Sequence, residues 1–347
     1  MNLNSTASFL ISAISIVIIL IYGQFLLVPF ILALLLWVLV RDINHKLDRI
    51  KLIKKYFPKW LKSVITSIFI LSIMGAISKV LTVNISSLTK NYPLYETNVG
   101  LMTQTINETF NINIIEQLNN FSGGFDMGKI LSAIFSSITD LFSSTFMILI
   151  YALFIFLEET SFDYKLKAVF TKEDQLEKVR DMLDRIESSV TKYLGLKVLL
   201  SFITGFASYL ALMMIGIDGP IFWAFLIFLL NFIPTIGSLI ATIFPAIFSL
   251  LQFGDFTHGT LVLVVVGLIQ VLVGNILEPK MMGNSLNLSA LVTIIALSFW
   301  GAIWGVVGMI ISVPITVILV IIMSQFESSR GVAMMLSEKG KLIDEEA

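Results

Sequence analysis

The sequence predicts an all-α polytopic membrane protein. It has about eight transmembrane or half-spanning helices, some broken or folded into hairpins, with amphipathic helices on the outer and cytoplasmic sides. Three observations predict this. Of 347 residues, 56% are hydrophobic and only 14% charged, whereas soluble domains carry about a quarter charged residues. Residues 198–325 hold one basic residue, Lys280, and three acids, Asp218, Asp255 and Glu278. A water-facing surface of that length needs far more polar cover, and a bilayer does not. The remaining basic residues cluster in short stretches, as cytoplasmic connections do under the positive-inside rule.

The N-terminal portion, residues 1–82, opens with an apolar run over 9–40 interrupted by Gly23, Gln24 and Pro29. One span needs about 20 residues, so the run is either a hairpin of two short helices or one long kinked helix. Its flank, MNLNSTASF, lacks a basic region, so the run reads as a retained membrane segment rather than a cleaved leader. Trp37 suits an interfacial belt. Residues 41–62 carry eight Lys or Arg and read as cytoplasmic. Residues 61–83 form the third segment.

Residues 83–129 read as extracytoplasmic, with Lys90 and Lys129 their only basic residues. Val99, Met102, Ile106, Phe110, Ile114 and Leu118 recur at helical spacing, which predicts an amphipathic helix. GGFDMGK at 123–129 imitates a phosphate-binding loop, but Ile130 replaces the required Ser or Thr and no strand precedes it. Residues 130–157 return to the cytoplasm. Asp140 lies either at depth, as an ion-coupling candidate, or near the outer headgroups. Residues 158–197 carry eight more basic residues. There Leu176, Val179, Leu183, Ile186, Val190 and Tyr193 predict a cytoplasmic amphipathic helix whose stripe packs on the protein's own core. Residues 198–326 form the C-terminal membrane core, and 327–347 a cytoplasmic tail, so both termini are expected in the cytoplasm of a multi-pass cell-membrane protein.

Two interruptions in that core carry the functional reading. They are NFIPTIG at 231–237 and GNILEPKMMG at 274–283. Broken backbone at membrane depth is tolerated where protein or a water-filled cavity satisfies it, and transporters build binding sites there. Candidate substrate-path residues are therefore Asn231, Pro234, Thr235, Gly237, Asn275, Glu278, Pro279 and Lys280. Pro234, Thr235 and Gly237 either line a path or only kink a helix. Asn231 and Asn275 suit a hydroxylated solute or an interhelical bond. Pro279 is expected to prevent regular helix between Glu278 and Lys280, which pair with each other or with neighbouring segments. Glu278 and Asp140 are the candidate ion-coupling carboxylates. Gly301, Gly305 and Gly308 are assigned to helix packing.

The runs 220–252 and 290–325 each contain Pro or Gly near the middle, which favours hairpins and puts Glu278 on the cytoplasmic side. Single spans would put it outside and would extend about 50 Å. The chain has no Cys and two His, His45 and His258. Thiolate chemistry and multi-histidine metal sites are thereby excluded, and no metal or cofactor is expected. No paired catalytic groups lie at depth and no basic face suits nucleic acid, so an enzyme or a nucleic-acid binder is not expected. A non-transporting scaffold would leave the broken helices without a purpose.

NFIPTIGSLIATIFP, GNILEPKMMGNSLNLSAL and FWGAIWGVVGMIISVP, in that order and spacing, resemble the autoinducer-2 exporter family of bacterial membrane proteins. The resemblance runs over essentially the whole chain and is strongest over 231–314. It implies an integral membrane transporter in the lipid bilayer. Some members export a small polar signalling furanone, and others resemble sodium(lithium)/proton antiporters moving Na⁺ or H⁺. It also implies homo-oligomers, pentamers among them.

Overall fold

The computed structural model describes residues 3–47, 145–283, 287–338 and 340, with eleven single positions between Ile65 and Asn98. Asp140, the basic residues of 51–62, and the 99–118 and 123–129 stretches lie outside the described residues. Every regular element among the described residues is helical. Among the described residues, five helices are long and apolar enough to cross a membrane. A bent helix over Thr145–Val169, turning by 65° between Glu159 and Ser161, makes a sixth if its arms form one span. The chain forms two compact units.

The first unit comprises Met1–Ile70, Leu141–Gly195 and Asn284–Ala347. Helices α1 (Leu3–Tyr22) and α2 (Gln24–Leu47) meet at Gly23. The Leu20 carbonyl accepts from the Trp304 indole N–H at 2.9 Å, which satisfies a backbone group beside the break. α2 packs on α3 (Thr145–Val169), with Phe30 and Tyr151 edge-to-face at 5.7 Å. Leu10, Ile11, Ile14 and Ile18 of α1 are exposed, an apolar surface that suits lipid rather than water.

The run Ala290–Ser324 (labelled α9 in chain order, with α4 to α8 given below) folds back on itself at Trp304 and Gly305. Gly305 has φ 60° and ψ −142°, a region essentially reserved for glycine. The Trp300 indole N–H donates to Thr316 Oγ1 at 3.3 Å. In a straight helix the two residues would stand roughly 24 Å apart. A Cβ on Gly308 would lie 2.0 Å from the Trp300 carbonyl oxygen, and one on Gly301 2.9 Å from Met309 Cγ. Helix α10 (Glu327–Leu336) closes the base, where Leu288 packs against buried Val320 and Ala333.

The second unit comprises Leu71–Asp140 and Leu196–Gly283. Its first described helix is the later part of α4 (Glu173–Ile215), a single helix of 43 residues. The sequence suggests a separate amphipathic helix before this span. The two are continuous instead: no Pro separates Tyr193 from Ser201, and the single Gly195 is tolerated inside the helix. In the earlier part of α4, Leu176, Val179, Leu183 and Ile186 are half-buried, and Val190 and Tyr193 are buried.

After α4, α5 (Pro220–Leu230) and α6 (Ile236–Phe253) form a hairpin. Its two ends meet: the Asp218 N–H donates to Gln252 Oε1 at 2.7 Å, and Gln252 Nε2 donates to the Gly216 carbonyl at 2.8 Å. α7 (Phe256–Leu272) then packs antiparallel to α6, with Gly259 against Leu250 and Gly267 against Thr242. A π-helical turn, Val273–Leu277, leads into α8 (Glu278–Met282). This corrects one expectation: Pro279 does not interrupt the helix, which runs on from Phe256 to Met282. The π turn shifts the hydrogen-bond register by one residue. Pro279 then sits in the first turn of α8, where its missing N–H is tolerated.

Candidate functional site

One turn of α4 holds the polar centre of the second unit. Lys197 and Ser201 are four residues apart and so share a helix face. Both are buried, at 3% and 0% exposure. Lys197 Nζ lies 2.6 Å from Glu278 Oε1, and Ser201 Oγ accepts from Asn231 Nδ2 at 3.1 Å. Lys197 is the one Lys, Arg, Asp or Glu that is buried among the described residues. A buried ammonium is tenable only with such a partner. The four side chains come from α4, the α5–α6 reversal and α8. They give an ammonium, a carboxylate, an amide and a hydroxyl at one level of the bundle.

The reversal is built by its own sequence. Asn231 caps α5, and Phe232 and Ile233 continue with tight bonds to Leu229 and Leu230. Thr235 then takes φ 60° and ψ −58°, and the Ile236 N–H reaches the Pro234 carbonyl at 2.6 Å. This is a γ-turn of the rare, strained hand. Thr235 is exposed, Pro234 half-buried and Gly237 buried. Gly237 abuts the end of α5: a Cβ there would lie 1.8 Å from the Leu230 carbonyl oxygen.

The structure therefore brings Asn231 and Glu278 onto one face of α4. It places Asn275, Pro279 and Lys280 at exposed positions of the π turn and α8. Glu278 pairs with Lys197 across 81 residues of sequence, not with Lys280. Sequence reasoning does not single out Lys197 or Ser201, since Lys197 counts as the last of the basic cluster over 158–197. The signal is nonetheless present: Val190, Tyr193, Lys197 and Ser201 continue one stripe at steps of 3, 4 and 4. Gly301, Gly305 and Gly308 lie at the α9 reversal in the first unit.

The opposite end of the second unit is a second polar knot, roughly 27 Å away along α4. Asp218 accepts from the Tyr95 hydroxyl at 2.7 Å and from Asn91 at 3.1 Å. Burial, together with the Asp218 carboxylate, pushes the Tyr95 phenol well above its ordinary range. Asn98 donates to the carbonyls of Leu251 and Gln252.

The first unit has a cavity of about 1070 Å³ between α2, α3 and the start of α4. Arg41 Nε lies 3.1 Å from Glu187 and 3.7 Å from Glu159, beneath the Trp37 ring, whose indole N–H also donates to Glu159 at 2.9 Å. Among the described residues no three His, Asp or Glu side chains converge to hold a metal ion.

A helical membrane chain with two folded-back hairpins and a buried polar centre has the parts of a transporter, and its sequence places it among known ones. The family model described as AI-2E family transporter matches residues 9–328. The chain belongs to the AI-2E transporter family. It is 31% identical over 322 residues to the AI-2 transport protein TqsA of Escherichia coli (strain K12), covering 91% of this chain and 90% of that one. A putative transport protein of Haemophilus influenzae is 30% identical over 287 residues, 80% of each chain. A sodium-lithium/proton antiporter of Halobacillus andaensis is 30% identical over 154 residues, 44% of this chain and 43% of that one. This AI-2E family member is a multi-pass membrane transporter.

Proposed function

We propose that this AI-2E family member exports a small polar solute of the autoinducer-2 type across the cell membrane by alternating access, the 231–237 reversal moving against its surroundings. The observation that carries the reading is the polar group formed by buried Lys197, Ser201 and Asn231 with half-buried Glu278. Polar groups buried among apolar helices are costly, and in membrane proteins they mark solute paths. An amide, a hydroxyl and a charge pair match the donors and acceptors of a hydroxylated solute. The name of the Escherichia coli relative supports the solute class. The basic clusters over 41–62 and 158–197 support a cytoplasmic position for both termini and for the Lys197–Glu278 end. The family resemblance adds a homo-pentameric assembly.

A second reading, a sodium(lithium)/proton antiporter, is favoured by Glu278, a half-buried carboxylate beside a buried lysine, and by the Halobacillus relative. Vesicles reconstituted with the purified protein separate the two. Furanone efflux is the expected outcome. Sodium-dependent proton flux without furanone flux would install the second reading.

A further inference from the structure

We propose that Lys197 is a positioning residue for transport: its bond to Glu278 latches α8 to α4 and keeps the π turn Val273–Leu277 wound. The inference rests on the alternating-access reading and deepens it. A π turn carries one residue more than the α-helix around it, and such insertions recur at functional sites. Here the insertion ends directly at Glu278, the residue that Lys197 holds at 2.6 Å. When the pair parts, the extra residue is free to return to α geometry. The helix on one side then rotates by about 100°, one residue's share of a turn. Ile276 and Asn275, both in the π turn and exposed, are carried to another face.

Two features make this a latch rather than a simple tie. The Lys197 side chain is only 4% exposed and that of Glu278 26% exposed, so the ammonium has no water to fall back on. Losing either charge strands the other, and intermediate geometries are disfavoured. One helical turn further on, Ser201 holds Asn231 at the tip of the α5–α6 reversal. A displacement of this single turn of α4 therefore moves the reversal and the π turn together.

The natural absence of cysteine allows spin labels at Met214→Cys and Ile276→Cys, two exposed sites in the second unit. The interlabel distance is read by pulsed paramagnetic resonance, with turnover in vesicles followed for whichever flux the wild type shows. Lys197→Met and Glu278→Gln are each expected to shift or split the distance distribution and to slow turnover by roughly thirtyfold or more, the scale for losing one partner of a desolvated pair. The exchanged pair, Lys197→Glu with Glu278→Lys, is expected to restore both. Wild-type distances in the single variants, or a folded exchanged pair that keeps their distances, would overturn the proposal.

If the single variants do not fold, the neutral pair Lys197→Met with Glu278→Gln decides, because it strands no charge. A shifted distribution supports the latch. Wild-type distances, or failure of the neutral pair to fold, reduce Lys197–Glu278 to a structural anchor and overturn it. The distances are read without solute, so they stand apart from any failure of the furanone assay.

Discussion

Asn231 donates its side-chain amide to the Ser201 hydroxyl at 3.1 Å, and both residues are buried. The bond fastens the tip of the α5–α6 hairpin to α4. Ser201→Ala is expected to lower stability by about 1–3 kcal/mol, because it strands a buried amide. Asn231→Leu is expected to cost less, since the remaining serine hydroxyl can turn to the carbonyl four residues back. Thermal unfolding of the purified variants gives the order. A smaller loss for Ser201→Ala than for Asn231→Leu would mean that the bond does not hold the hairpin.

Thr235 stores strain at the turn itself. A β-branched residue at φ 60° and ψ −58° costs of order 1–3 kcal/mol, most of which glycine avoids. Glycine gives back part of that gain through its freer unfolded chain. Thr235→Gly is therefore expected to raise stability by a net ~1 kcal/mol. A melting temperature below that of the wild type would show that the γ-turn is not strained.

Two glycines with opposite surroundings test the α9 reversal. A Cβ at Gly308 would stand 2.0 Å from the Trp300 carbonyl oxygen, a backbone atom that cannot step aside. A Cβ at Gly274, in the π turn, would meet nothing within 4 Å. Gly308→Ala should then cost at least about 2 kcal/mol through overpacking, while Gly274→Ala should be close to neutral. Circular dichroism melts of the two variants side by side make the comparison. Equal behaviour would argue against the folded-back geometry of Ala290–Ser324.

Much of this fold is legible in the sequence because lipid enforces a simple rule: apolar runs become helices. The hairpins are also legible, from Pro234 with Gly237 and from the glycines near the middle of 290–325. The course of 274–283 is not. Gly274, Asn275 and Pro279 look like a loop, yet the π turn absorbs them into a continuous helix. Local composition does not reveal that a one-residue shift of register makes proline acceptable. The partner of Glu278 escapes sequence reasoning for a different reason. Lys280 is two residues away and Lys197 is 81, and nearness in sequence says nothing about which lysine the fold buries. Ser201 looks like a small packing residue, and only the hairpin shows that it faces Asn231.

The start of α7 offers a test that depends on pH. Asp255 caps this helix: Oδ1 accepts from the His258 backbone N–H at 2.8 Å, and Oδ2 lies 2.7 Å from His258 Nδ1. The backbone bond first, and the histidine ring with it, holds the Asp255 carboxyl below its ordinary value of 3.8. A depressed carboxyl stabilises the fold above its unfolded-state value, and the contribution is lost as pH falls through the folded value. Asp255→Ala should cost about 1 kcal/mol at neutral pH by removing the cap. Asp255→Asn should keep most of the cap, since its amide oxygen still accepts from the backbone. The informative range is acidic, from about pH 5 down to about pH 3, where an aspartate carboxylate titrates. Over that range the wild type should lose its margin over Asp255→Asn, while Asp255→Asn itself shows no matching step. A margin that stays constant to about pH 3 would mean that the charge on Asp255 contributes nothing to the cap.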